Sequence, residues 1–382
     1  MLRLPDNFQH FDEERKEGFL EVYEYKKQGK KVVGIYCSYT PWELIYAAGA
    51  IPVSLCGGGS DTITFAETKL PSNLCPMVKS SFGAAASDNC PYFYFCDMVL
   101  AETTCDGKKK MYEMLGKLKP VHIMQLPPGR DSNMSLQFWY NEMVRAKESI
   151  EETLGTTITE ENLKAAIKLK NRERKAVLDF YKLGMLNPTP LSGYEMSTMV
   201  DATEYCFDIE ENIKTLEQRT IKAKEEYETI YKSKPKKPRI LITGCPIGGV
   251  RDKIVARVEE MGADVVGLES CSGPREKKDL VDETKDPLWA LAEKYLRVSC
   301  SVMSPNDERF EALDDFIHNY DVDGVIEVVL HACHTFAIEA DMVKDYIMNE
   351  KNLPYICITT DYSETDSGQI DTRLEAFIEM IG

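Results

Sequence analysis

A chain of 382 residues with 43% hydrophobic side chains is long enough for two or three domains with buried cores. Its 63 acidic against 46 basic residues leave a formal charge of −17, which repels nucleic acid and anionic membrane and excludes binding by counterion release. No run approaches the ~18 apolar residues of a membrane span, and the charged start MLRLPDNFQHFDEERKEGF lacks the apolar core of a signal peptide, so the expected location is the cytoplasm.

In chain order, KVVGIYCS (31 to 38) reads as a buried strand and PWELIYAAG as a helix stopped by Gly49. AIPVSLCGG (50 to 58), YFYFCDMVLAETT (92 to 104) and PVHIMQLPP (120 to 128) read as three further strands. From about 135 to 232 the pattern turns helical and densely charged. There, Ile209, Ile213, Leu216, Ile221, Ala223, Tyr227 and Ile230 approximate one apolar face. KSKPKKP reads as a linker, its prolines opposing helix and its lysines opposing burial.

A second alternation follows: RILITG (239 to 244), a helix through VRDKIVARVEEMG, ADVVGLES (263 to 270), a helix around DPLWALAEKYL, DGVIEVVLHA (323 to 332) and LPYICITT (353 to 360). The expected fold class is α/β, with two Rossmann-like, doubly wound parallel-sheet domains connected by a helical segment and enclosing a cleft. The expected boundaries are 1–134, 135–237 and 238–382.

The chain has 12 cysteines, too many for structural use alone and without the C-x-x-C spacing of a zinc knuckle or a bacterial ferredoxin. In a reducing compartment they are packed small side chains, catalytic thiols or metal ligands. Cys37, Cys56, Cys105, Cys245, Cys271 and Cys333 all fall at carboxyl ends of expected strands, where open α/β sheets bind ligands. Cys90, Cys96, Cys206 and Cys357 are scattered as packed thiols would be, whereas Cys75 and Cys300 sit in loops, Cys75 just ahead of a helix whose amides could stabilise a thiolate. Thiolates converging from two domains suit an iron–sulfur cluster; a zinc site would need only four, and a thiol nucleophile one.

HACHTFAIE places His331, Cys333 and His334 together, which alone could be a small zinc site or a nucleophile with its base. The turn GCPIGGVRDKIV lacks the G-x-G-x-x-G spacing of a dinucleotide site, although Glu269 ends the next strand roughly where a ribose-binding acid would sit. The simpler reading is that its glycines allow close helix–strand packing. No G-x-S-x-G, H-E-x-x-H or Walker-type motif appears, which leaves redox chemistry as the leading class.

GIYCSYTPWELIYAAGAIPVSLCGG, NLCPMVKSSFG, AETTCDGKKKMYE, DVDGVIEVVLHACHTFAIE and TDYSETDSGQIDTRLEAFIEMI resemble the 2-hydroxyacyl-CoA dehydratase and benzoyl-CoA reductase superfamily. ESCSGPRE and VSCSVMSPNDERF resemble its double-cubane cluster branch, in which two four-iron cubanes share a bridging sulfide within one chain. The resemblance implies six ligands, Cys37, Cys75, Cys105, Cys271, Cys300 and Cys333, with Cys245 as the chief rival for one place. It implies a cluster in the cleft, a homodimer, and an ATP-hydrolysing four-iron activator that supplies low-potential electrons for a small, hard-to-reduce substrate. His331, His334, Tyr39 and Glu269 are the expected proton or hydrogen-bond donors. The competing expectations are a hydroxyacyl-CoA dehydratase subunit with one [4Fe–4S] cluster, and a non-catalytic electron-storage protein.

Overall fold

The structure, a computed structural model, describes every residue except Met1, Asp131, Cys206 and Ser272, so the packing expected of Cys206 lies outside the described residues. Contacts divide the chain into two compact units, Met1–Asn171 with Val281–Arg297, and Arg172–Leu280 with Val298–Gly382.

The first unit is built on β1 (Lys31–Ile35), β2 (Ala50–Ser54), β3 (Met98–Glu102) and β4 (Val121–Met124), all parallel, in the order β2-β1-β3-β4. Val32 to Ile35 and all of β3 are buried, which is why these strands read as continuous apolar runs rather than alternating ones. The expected third strand is shorter than its apolar run: Pro91–Phe95 is a helical turn. Pro91 occupies its first position and Cys90 Sγ accepts from Phe93 N at 3.4 Å, so turn chemistry overrides the strand propensity of four aromatics.

The second unit repeats the plan with β5 (Arg239–Gly244), β6 (Asp264–Glu269), β7 (Gly324–Leu330) and β8 (Tyr355–Thr360), parallel in the order β6-β5-β7-β8. In each sheet the chain runs outward from the first strand in one direction and then returns past it in the other. The switch points therefore lie between β1 and β3 and between β5 and β7, where α/β sheets open a crevice at their carboxyl ends.

The helical middle is not a separate body. Its part up to Asn171 belongs to the first unit and the remainder to the second, the division falling within the helix Glu160–Tyr181. The segment Val281–Arg297 belongs to the first unit although its sequence neighbours belong to the second. Asp286 caps its helix Pro287–Leu296, Trp289 packs 5.3 Å from Tyr140, and Tyr295 donates to Glu43 at 2.8 Å. On the helix Ile209–Glu226 the buried seam is Ile209, Ile213, Leu216, Thr220 and Ala223. Ile221 and, beyond the helix, Ile230 are exposed instead of lying on the expected apolar face, because a 3.6-residue period carries them off it. No described helix is long and apolar enough to cross a membrane.

Candidate functional site

In the first unit, Cys37 follows β1 and Cys56 follows β2, while Cys105 follows β3 as the N-cap of the helix Asp106–Leu115. Cys105 Sγ accepts from Lys108 N at 3.4 Å. The Lys108 ammonium donates to Tyr36 O at 2.8 Å, and the Cys56 thiol donates to the same carbonyl at 3.0 Å. Burial would lower the Lys108 pKa, but Tyr112, Cys56, Cys37 and Cys105 together hold it well above its ordinary value. Cys75 occupies the N-cap position of the helix Pro76–Ala86, and its neighbour Leu74 reaches Gly107: a Cβ there would lie 3.2 Å from Leu74 Cδ1 and 4.0 Å from Cys105 Sγ.

Buried polar atoms without hydrogen-bond partners lie at the ends of β1 and β3, Tyr36 Oη, Thr104 Oγ1 and Glu102 Oε2, and on the helix Asp106–Leu115, Tyr112 Oη. Glu102 is fully buried, and its other oxygen accepts from the Thr40 hydroxyl. Burial pushes its carboxyl up to about 8, with Thr40 and Lys108 opposing. Tyr39 is buried edge-on against Trp139, with 6.4 Å between ring centroids.

In the second unit, Cys271 follows β6, Cys300 follows the segment Val281–Arg297 in sequence, and Cys333 occupies the N-cap position of the helix His334–Asp345 after β7. Burial pushes the Cys300 thiol up to about 11; Arg275 opposes, and Cys271 and Cys333 both add to it, so the three thiols share one electrostatic neighbourhood. Arg275 is buried, with Nη1 3.8 Å from Cys271 Sγ and Nε 2.8 Å from Glu269. Burial alone would raise the Glu269 carboxyl, but Arg275 and Arg309 reverse this and hold it below the usual carboxylate range. Glu269 also accepts from Thr243 at 2.7 Å, so its carboxylate is committed and not presented to a ribose.

Cys245 is buried, with its Sγ accepting from Leu330 N at 3.4 Å. His331 and His334 are both exposed and flank Cys333. Cys96 is buried and donates to Phe93 O at 3.2 Å, a packed thiol well integrated into its turn.

Among the described residues no three His, Cys, Asp or Glu side chains are set to hold a single metal ion. A zinc ion draws its ligands to one point, about 2.3 Å from each sulfur, and Cys333 with the two exposed histidines does not form such a group. A cubane spreads its thiolates over separate iron corners and asks only that they line one recess. Within each unit the donor chemistry suits such a group: soft thiols at strand and helix ends, a cation near them, and an N–H directed toward sulfur. Lys108, Arg275 and Glu102 were not distinguished in the sequence. The available signal was their spacing, a cation three or four residues after Cys105 and Cys271.

Residues 37–381 match the family model described as 2-hydroxyglutaryl-CoA dehydratase, D-component. A protein of Escherichia coli (strain K12) named "Putative dehydratase subunit YjiM" is 48% identical over 378 residues, covering 99% of this chain and 98% of its own. The (R)-phenyllactyl-CoA dehydratase beta subunit of Clostridium sporogenes is 25% identical, covering 93% of both chains. A benzoyl-CoA reductase subunit of Thauera aromatica is 24% identical, covering 89% of this chain and 87% of its own.

Proposed function

The chain belongs to the 2-hydroxyglutaryl-CoA dehydratase D-component family, and from that premise we propose that it is an iron–sulfur reductase component holding a double-cubane cluster. In this reading it takes low-potential electrons from an ATP-hydrolysing four-iron activator and delivers them to a small, hard-to-reduce substrate. It acts as a homodimer. The observation that supports it best is the second thiol set. Beside Cys37, Cys75 and Cys105 of the first unit, the second unit carries Cys271, Cys300 and Cys333 in a single electrostatic neighbourhood. Two cubanes that share a sulfide need three thiolates each.

When bound, such a group supplies low-potential electron storage. The protein's own residues set its surroundings. Arg275 directs an N–H toward the Cys271 sulfur while Glu269 fixes its guanidinium, and Lys108 N–H bonds Cys105. His331 and His334, exposed on either side of Cys333, are placed to exchange protons with solvent, and Glu102 holds a buried proton at neutral pH. Tyr39 has a packing role against Trp139.

A second reading, a 2-hydroxyacyl-CoA dehydratase subunit with one [4Fe–4S] cluster and an unlike partner, is favoured by the names of the relatives at 48% and 25% identity. The experiment supplies the anaerobic protein with a reduced activator and ATP, and offers either a 2-hydroxyacyl-CoA or a small unsaturated molecule. ATP-dependent reduction of the small molecule without dehydration is expected. Dehydration of the CoA ester with no reduction of the small molecule would refute the reductase assignment.

A further inference from the structure

We propose that Lys108 and Arg275 are a matched pair of positioning residues, each supplying the fixed positive charge that offsets the thiolates of its own unit's ligand set. The inference rests on the cluster reading above and assigns a role to side chains that this reading does not require.

Arg275 is oriented for the task from four sides. Its Nε and Nη2 hold the Glu269 carboxylate at 2.8 and 2.9 Å, and Nη2 also donates to the carbonyls of Gly244 and Glu269 at 3.1 and 3.0 Å. The Phe336 ring lies 5.3 Å from its Cζ. Nη1 is thereby left directed toward Cys271 Sγ at 3.8 Å. Neutralising Glu269 alone would not call for that geometry, because Arg309 also approaches the same carboxylate, at 3.5 Å.

Lys108 reaches an equivalent place in the other unit by a different route. Its backbone N–H bonds Cys105 Sγ at 3.4 Å, and its ammonium is anchored 2.8 Å from the carbonyl of Tyr36, the residue before Cys37. One residue thus bonds the proposed ligand after β3 through its backbone and the chain beside the proposed ligand after β1 through its ammonium, on the two sides of the switch point. Lys109 and Lys110, which follow it, are exposed, so only the first of the three lysines is turned inward.

A fixed cation beside an anionic redox group stabilises its more negative, reduced state, so removing the cation shifts the midpoint potential downward. The test uses anaerobically purified full-length protein. Iron content is measured first, followed by the midpoint potential from a dye-mediated titration read by absorbance and electron paramagnetic resonance. Lys108→Met and Arg275→Met are expected to retain iron and to titrate at more negative potential, and Lys108→Arg and Arg275→Lys to return toward wild type. If Arg275→Met does not fold, the half-buried Lys108 pair of variants carries the test alone. Iron-replete Met variants with an unchanged potential, or Arg and Lys variants shifted as far as the Met variants, would overturn the charge role while leaving the cluster reading intact. Wild-type protein without iron would overturn the cluster reading, and this inference with it.

Discussion

Glu102 gives the folded state a pH dependence that can be isolated. A glutamate in an unfolded chain titrates near 4.3, roughly. In the folded chain, burial pushes Glu102 up to about 8. The sign follows from linkage. A carboxyl whose folded pKa is raised stabilises fully below the unfolded pKa, and that contribution is lost as the pH rises through the folded pKa. Between the two values the folded state binds the extra proton, so the free energy of unfolding falls by about 1.4 kcal/mol per pH unit, about 5 kcal/mol over the interval. Glu102 is 0% exposed, so no solvent screening reduces this figure. Glu102→Gln keeps an acceptor for the Thr40 hydroxyl and cannot ionise. Urea unfolding of both proteins between pH 6 and 7.5, followed by tryptophan fluorescence, makes the comparison. Trp42, Trp139 and Trp289 are the chain's three tryptophans and all belong to the unit that contains Glu102. The wild-type protein is expected to lose about 1.4 kcal/mol per pH unit relative to the variant. Parallel profiles would refute the assignment of a buried, protonated Glu102.

Arg309 is fully buried and is held by Glu327 at 2.7 Å, by Glu339 and by Thr243 at 3.1 Å, so Arg309→Met leaves buried carboxylates uncompensated. A loss of about 3–5 kcal/mol is expected in urea unfolding followed by circular dichroism, and a loss below ~1 kcal/mol would contradict that role. Cys333→Ser is expected to lower the iron content or alter the visible spectrum, whereas Cys96→Ser, at a thiol engaged with Phe93 O, is expected to leave both unchanged. Unchanged iron and spectrum in the first variant would remove Cys333 from the ligand set. Because the folded pKa of Glu269 is depressed, its contribution to stability is present above roughly pH 4.3 and is lost as the pH falls through the folded value. Glu269→Gln is therefore expected to flatten the acid limb of the unfolding midpoint, and an unchanged limb would count against the Arg275 and Arg309 contacts.

The parallel sheets were legible because their inner strands are buried on both faces: β7, with all seven residues buried, reads as one apolar run interrupted only by Glu327. The placing of Cys37, Cys105, Cys271 and Cys333 just after strands followed from the same runs. The attachment of Val281–Arg297 to the first unit was not legible, because an amphipathic pattern names a buried face without naming what covers it. The same limit hid Arg309. Its nearest partners in sequence are 18 and 30 residues away, and nothing local marks it as the counterion of a charged residue in a central strand. Lys108 was hidden within three consecutive lysines, since sequence alone does not say which one turns toward the thiols.

The most direct measurement of the central claim is the iron, acid-labile sulfide and zinc content per chain of anaerobically purified protein. About eight irons and about nine sulfides are expected, with three thiolates from each unit. About four irons would return the chain to a single-cluster dehydratase subunit, and zinc without iron would contradict the redox account outright.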